Sequence, residues 1–398
     1  MKKKLHKMVG LHLRVWTEAF MEFFRREASS GLVLLGCALL AMGLANSPWH
    51  PFYEEILHYP LALGWGDMVL SMSLLHWIND GLMAVFFFVI GMEIKREFLF
   101  GELKSLSATV LPVAAAIGGM VVPAVIYAVF NWGEPTLGGW GVPMATDIAF
   151  ALGILSFAAG HVPRSVAIFL TALAIVDDLG GIVVIALFYT TSLQPVALAA
   201  GVVVLLVLWF LARQRVHFFL PYLLGGIAAW YAFLQAGIHP TIAGVLLGFL
   251  IPAGRVRSMK RYPLYRWEHR LSPWSAYLVM PIFALANAGI PLSLAGFSQL
   301  ASPIGLGVLF GLCLGKPLGI FGSVYGLVRL GIVKLPAKTR LVHFAGAGIL
   351  GGIGFTMALF IASLAFADAG QLTTAKTAIV SASLLSGLVG MLVFKRIQ

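Results

Sequence analysis

The chain has 398 residues, 60% of them hydrophobic and 11% charged. Soluble domains carry roughly 25% charge, so the composition is that of a membrane protein and leaves no room for a separate soluble domain. The formal net charge of +11 does not indicate nucleic acid, because Lys and Arg sit in short clusters between apolar runs, where cytoplasmic loops carry them. Cys37 and Cys313 each lie inside an apolar run, which excludes a disulfide framework and a cysteine metal cluster.

Residues 1–30 come first. Leu11, Val15, Trp16, Phe20, Phe23 and Phe24 recur at helical spacing among Arg14, Glu18, Glu22, Arg25 and Arg26, which predicts an interfacial amphipathic helix at the cytoplasmic surface rather than a secretory signal. Apolar runs then predict spans near 31–45, 74–94, 108–130, 140–158, 164–189 and 196–212. Six more follow near 218–235, 240–251, 274–290, 303–327, 341–366 and 375–394. With the amino terminus inside, 25 of the 27 Lys and Arg fall on cytoplasmic segments and only Lys316 and Lys376 do not. Twelve spans with both termini cytoplasmic is the count consistent with that distribution.

The first outside connection holds two short apolar runs about a glycine turn, Pro60-Leu-Ala-Leu-Gly-Trp-Gly-Asp-Met-Val-Leu-Ser-Met. A β-hairpin over 59–73 is predicted, and pairing with the hairpin of a second copy would complete a sheet too small to stand alone.

A charge at the bilayer centre costs about 2.5–3.5 kcal/mol, so each intramembrane charge needs a reason. Asp147, Asp177, Asp178 and Lys316 lie well inside their spans, and together cost roughly 10–14 kcal/mol unless they compensate one another. Asp80, beside Asn79 near the start of its span, reads as a capping or packing group. Adjacent Asp177 and Asp178 point about 100° apart on a helix and still border one cavity. Two carboxylates in one pocket repel, and either a proton or a hard cation relieves that repulsion. Sodium and protons then compete for one oxygen site, and a site that opens to one side at a time becomes an exchanger. Thr146 adds a hydroxyl ligand to Asp177 and Asp178. Lys316 is either a permanent partner of Asp177 or itself a proton carrier.

Backbone breakers point to the same place. Gly138, Gly139, Gly141 and Pro143 precede Thr146 and Asp147 in span four, and Gly346, Gly348, Gly351, Gly352 and Gly354 crowd span eleven. Both spans are expected to be broken helices, whose facing ends carry partial charges that Asp147 and Lys316 neutralise.

At Ala145-Thr-Asp-Ile-Ala-Phe-Ala-Leu-Gly, Ala172-Leu-Ala-Ile-Val-Asp-Asp-Leu-Gly and Gly351-Gly-Ile-Gly-Phe-Thr-Met the chain resembles the NhaA family of sodium/proton antiporters. The likeness runs from Ala41-Met-Gly-Leu-Ala-Asn-Ser through Trp77-Ile-Asn-Asp, Gly91-Met-Glu-Ile-Lys-Arg-Glu and Gly315-Lys-Pro-Leu-Gly to Phe360-Ile-Ala-Ser-Leu-Ala-Phe. It implies an all-α polytopic membrane protein of twelve transmembrane helices with inverted repeats, spans four and eleven broken and crossing, in the bacterial inner membrane. It further implies electrogenic export of sodium or lithium in exchange for protons, activated at alkaline pH, with Asp177 and Asp178 at the ion site and Thr146, Asp147 and Lys316 in support. Glu93, Arg96, Glu97, Glu268 and His269 match a pH-responsive cluster, and His239 a position tied to pH response. Ser272 stands where the family often has a second histidine. The hairpin matches a dimerisation element, so a homodimer is implied.

Neither an enzyme nor a cofactor is expected. The expected partners are sodium, lithium, protons, the lipid bilayer with anionic lipids at the basic cytoplasmic loops, and a second copy of the chain. Two other classes compete. A sodium-coupled transporter of an organic solute on a similar scaffold would need a larger polar cavity, and no cluster of Arg, Asn or aromatic residues within the spans suggests one. An intramembrane aspartyl protease also uses two embedded aspartates, but its Gly-x-Gly-Asp signature occurs at no aspartate inside a span.

Overall fold

The computed structural model describes residues 29–397 apart from 66–67, 102–103, 105, 159–161, 191–192, 255–261, 293–295, 297 and 337. The amphipathic helix expected over residues 1–30 lies almost wholly outside them. From Ser29 onward the chain is nearly all helix. Helix α1 (Ser29–Ala45) turns through 113° into the short helix α2 (His50–His58). Strands β1 (Pro60–Trp65) and β2 (Met68–Ser73) then pair antiparallel with Leu61 opposite Met72 and Leu63 opposite Leu70, which is the hairpin read from the sequence.

Helix α3 (Leu74–Phe100) follows, capped by Ser73, whose hydroxyl accepts the His76 N–H at 3.2 Å. Next come α4 (Leu106–Phe130), a 3-10 helix (Pro135–Met144), α5 (Ile148–Ala158), α6 (Arg164–Phe188), α7 (Pro195–Arg213), α8 (Phe219–Gln235) and α9 (Thr241–Leu250). Helix α10 runs over 263–287 (Pro263–Trp274, a π turn Ser275–Val279, then Met280–Asn287). The chain ends with α11 (Pro303–Arg329), α12 (Leu341–Gly351), α13 (Phe355–Ala365) and α14 (Ala369–Arg396), the last capped by Asp368, which accepts the Gln371 N–H at 2.8 Å.

Among the described residues six helices are long and apolar enough to cross a membrane, and three bent pairs raise the number to nine if each pair is one span. Two of those pairs are the expected breaks: the 3-10 helix and α5 meet at 44°, α12 and α13 at 45°. The first half of span four is a tight 3-10 rather than an α-helix, a consequence of its three glycines and of Pro143, which has no N–H to give an α-helical ladder.

One boundary departs from the sequence reading. The segment 263–273, expected as loop, is the first half of α10, because Leu264, Trp267 and Leu271 fall on one helical face and pack with Met92 and Tyr222. Proline also explains two wide turns: Pro281 and Pro317 leave a carbonyl four residues back without a donor, and π turns sit there, at Ser275–Val279 and at Gly311–Gly315 just before Lys316.

Close helix contacts frame the core. At Gly118 and Gly319 the helices α4 and α11 touch so tightly that a Cβ on Gly319 would lie 2.0 Å from the Gly118 carbonyl oxygen. Gly244 of α9 similarly abuts the Ala84 carbonyl of α3, at 2.2 Å from where a Cβ would be. The most buried of the spanning helices is α6, with 67% of its apolar window inside the protein, against 11% for α7. Helix α6 carries the paired aspartates.

Candidate functional site

The two breaks touch each other. The Asp147 N–H donates to the Ile353 carbonyl at 2.6 Å, linking the gap between the 3-10 helix and α5 to the gap between α12 and α13. Each gap leaves backbone groups without helical partners, and the chain supplies side chains for them. Asp147 caps two helix starts at once. Its Oδ1 accepts the Phe150 N–H of its own half-helix at 3.1 Å, and its Oδ2 accepts the Thr356 N–H of α13 at 3.1 Å together with the Thr356 hydroxyl. One carboxylate therefore faces the positive ends of both half-helices.

Asp177 and Asp178 lie at the midpoint of α6, 3% and 5% exposed, and their 100° separation sends them to different partners. Asp177 Oδ2 accepts from Lys316 Nζ, on α11, and from the Thr146 hydroxyl at 2.6 Å. Its Oδ1 is buried with no hydrogen-bond partner among the described residues. Lys316 is fully buried, placed by the π turn before it and by the tight seam of α4 with α11.

Thr146 Oγ1 also lies 2.9 Å from the Gly351 carbonyl. A hydroxyl has one proton, so it serves either the carboxylate or that carbonyl. If Asp177 carries a proton, the carboxyl can donate to Thr146 while Thr146 donates to Gly351. Among the described residues Asp178 makes no such bonds. It lines a cavity of about 60 Å³ together with Glu93, Thr146 and Asp147, closed by Phe86, Val89, Met280 and Met357.

Of the residues matched to a pH-responsive cluster, the structure brings three into contact. Arg96 is held between Glu97 (2.7 Å) and Glu268 (2.9 Å), joining α3 to α10. Glu93 lies one turn further along α3 and lines the cavity with Asp178. His269, next to Glu268 in the chain, is exposed, its ring stacked on Tyr265 with centroids 5.8 Å apart.

Two features escaped the sequence reading. Thr356 belongs to the site through Asp147, and its place in Gly354-Phe-Thr-Met was the available signal. Asp80, read as a packing group, is 6% exposed in a π turn and faces His239 Nε2 at 3.6 Å and His76 Nε2 at 3.9 Å, beside an Asn79–Asn287 amide pair at 2.8 Å. The separation of 159 positions between Asp80 and His239 hid that pairing. The Phe360 ring packs against both His239 and Phe87.

Residues 21–394 match the family model described as Na+/H+ antiporter 1. The chain is 53% identical over 381 residues to the Na(+)/H(+) antiporter NhaA 1 of Clostridium beijerinckii, covering 95% of each chain. It is 47% identical over 384 residues to the Na(+)/H(+) antiporter NhaA of Albidiferax ferrireducens, covering 95% of this chain and 97% of the relative. Among solved structures, the sodium proton antiporter MjNhaP1 from Methanocaldococcus jannaschii at pH 8 superimposes with a TM-score of 0.55 at 15% identity, over 95% of this chain and 99% of the other. That last likeness is one of fold.

Proposed function

Because this chain belongs to the Na+/H+ antiporter 1 family, we propose that it exchanges sodium for protons across the bacterial inner membrane, with Asp177 and Asp178 as the competing site. One observation carries the reading: two buried adjacent carboxylates sit at the meeting point of two helix breaks, one bonded to Lys316 and the other turned into a small cavity. Asp178 offers a hard oxygen to a cation, with Thr146 on the same cavity and Asp177 next to it in the chain. Protonation of the carboxylates removes that offer, so the pair holds sodium or protons in turn. A cavity of about 60 Å³ suits an ion with a few waters rather than an organic solute.

The finer features of the reading follow from the same residues. Lithium shares the site because its ligand preference is the same. Electrogenic exchange, more protons entering than sodium ions leaving, follows if each bound sodium displaces two protons, one from Asp178 and one from Lys316 as it releases Asp177. Activation at alkaline pH is assigned to Arg96, Glu97 and Glu268, with Glu93 as the link to the cavity. Twelve crossings result when the two broken pairs, α8, α9 and α10 are each counted with α1 and the six long helices. The distribution of Lys and Arg supports cytoplasmic termini, and the hairpin supports a homodimer through edge pairing.

The test is the purified chain in proteoliposomes. Sodium added at alkaline pH should collapse a preformed proton gradient in the unsubstituted protein, and Asp178→Asn should reduce the response to background. A gradient still discharged by sodium in Asp178→Asn would overturn the site assignment.

A further inference from the structure

The cavity beside Asp178 is walled by two helices of different polarity. On α3 the polar residues stop at Glu93, and the helix then presents Phe86, Val89 and Ile90 to the cavity. On α10 a polar stripe continues. Glu268, Ser272 and Ser275 are spaced four and three residues apart and so share a face; Glu268 holds Arg96, while Ser272 and Ser275 line the cavity.

Ser275 is 5% exposed, yet among the described residues its hydroxyl has no hydrogen-bond partner. Comparably buried hydroxyls elsewhere are all tied: Thr377 donates to the Thr373 carbonyl at 2.8 Å, Thr374 to Gln299 at 2.8 Å, and Ser383 accepts the Phe355 N–H at 3.1 Å. A hydroxyl in a spanning helix ordinarily turns back onto the carbonyl four residues earlier. No such bond is made by Ser275: only its backbone N–H reaches the Leu271 carbonyl, and the residue stands at the first position of the π turn Ser275–Val279. Such turns collect at functional positions. A buried hydroxyl that faces a cavity and has no partner among the described residues is satisfied by what the cavity holds, a water or a cation.

We infer that Ser275, with Ser272 one turn away, is a further cation-binding position, its hydroxyl oxygen replacing a water of hydration on a sodium or lithium ion between Glu93 and Asp178. The inference rests on the proposed exchange of sodium for protons. Serine oxygen is a hard neutral ligand, so it lowers the cost of dehydrating the ion without adding a charge that protons would compete for. It therefore sets apparent affinity for the cation and leaves the proton side of the exchange alone.

The experiment uses the full chain in proteoliposomes, reading the apparent KM for sodium and for lithium, the maximal rate and the pH profile, with binding of radioactive sodium in detergent as a second measurement. Ser275→Ala should raise the sodium KM about three- to tenfold, with the maximal rate and the pH profile at saturating sodium unchanged. Ser275→Thr should restore the affinity, and adding Ser272→Ala to Ser275→Ala should weaken it further. Wild-type KM for both ions in Ser275→Ala overturns the inference, as does a lost maximal rate with KM unchanged, which marks a structural hydroxyl. If Ser275→Ala does not fold, Ser275→Thr must match the unsubstituted affinity and Ser275→Cys must fall below it, and any other order overturns the inference. Absence of sodium-dependent exchange in the unsubstituted chain removes the antiporter reading itself, and the inference with it.

Discussion

Asp177 and Asp178 are neighbours in sequence but differ in what holds them. Asp177 is satisfied on one oxygen by Lys316 and Thr146, whereas Asp178 faces the cavity with no protein partner among the described residues. Removing Lys316 alone leaves a buried carboxylate uncompensated, a change that typically costs about 3–5 kcal/mol, while removing both partners leaves neither charge. Lys316→Ala should therefore lower the apparent Tm in detergent, and Asp177→Asn with Lys316→Ala should recover most of the loss; a double variant no more stable than Lys316→Ala would show that the pair is not the source. The proposed competition between sodium and protons belongs to this scale too. Each proton that must leave before sodium binds makes the apparent KM rise about tenfold per unit of falling pH, once the medium is acid enough to protonate the site. Initial rates across a sodium series at several pH values measure that slope, and a KM indifferent to acidification would remove the shared site.

The broken helices are an element-scale device. Each half-helix end carries partial charge that lipid cannot solvate, and Asp147 answers both positive ends by bonding Phe150 on α5 and Thr356 on α13. Asp147→Ala should cost about 1–2 kcal/mol for each cap lost, read as a lower apparent Tm, and Asp147→Asn should recover part of it by keeping an oxygen acceptor. Equal stability of all three proteins would argue against capping. The seams are just as local. A side chain at Gly244 has no space against the Ala84 carbonyl, and overpacking of this kind costs about 1–3 kcal/mol or more. Gly244→Val should thus destabilise the chain far more than a valine at Gly36, where nothing lies within 4 Å; thermal melts of the two variants make the comparison.

For the whole molecule, the proposed orientation in the membrane rests on the distribution of charge. With Cys37 and Cys313 replaced by serine, a cysteine at Lys338 should react with an impermeant thiol reagent from the cytoplasmic side, and one at Trp132, 81% exposed, only from the opposite side. Labelling of both from one side would invalidate the twelve-crossing arrangement.

Much of this protein was written in its composition and spacing. Hydropathy places the apolar runs, Lys and Arg suggest their orientation, Gly and Pro mark the breaks in spans four and eleven, and the insertion cost singles out Asp147, Asp177, Asp178 and Lys316, because each of these signals is local in the chain. Which residues meet was not readable there. Asp80 opposite His239, Asp147 on Thr356, and Ser275 turned toward the cavity of Asp178 bring together residues 97 to 209 positions apart, decided by helix rotation and close packing at glycine seams. A single sequence carries no signal for those pairings, since a hydroxyl or carboxylate reads the same whether its helix turns it inward or toward lipid.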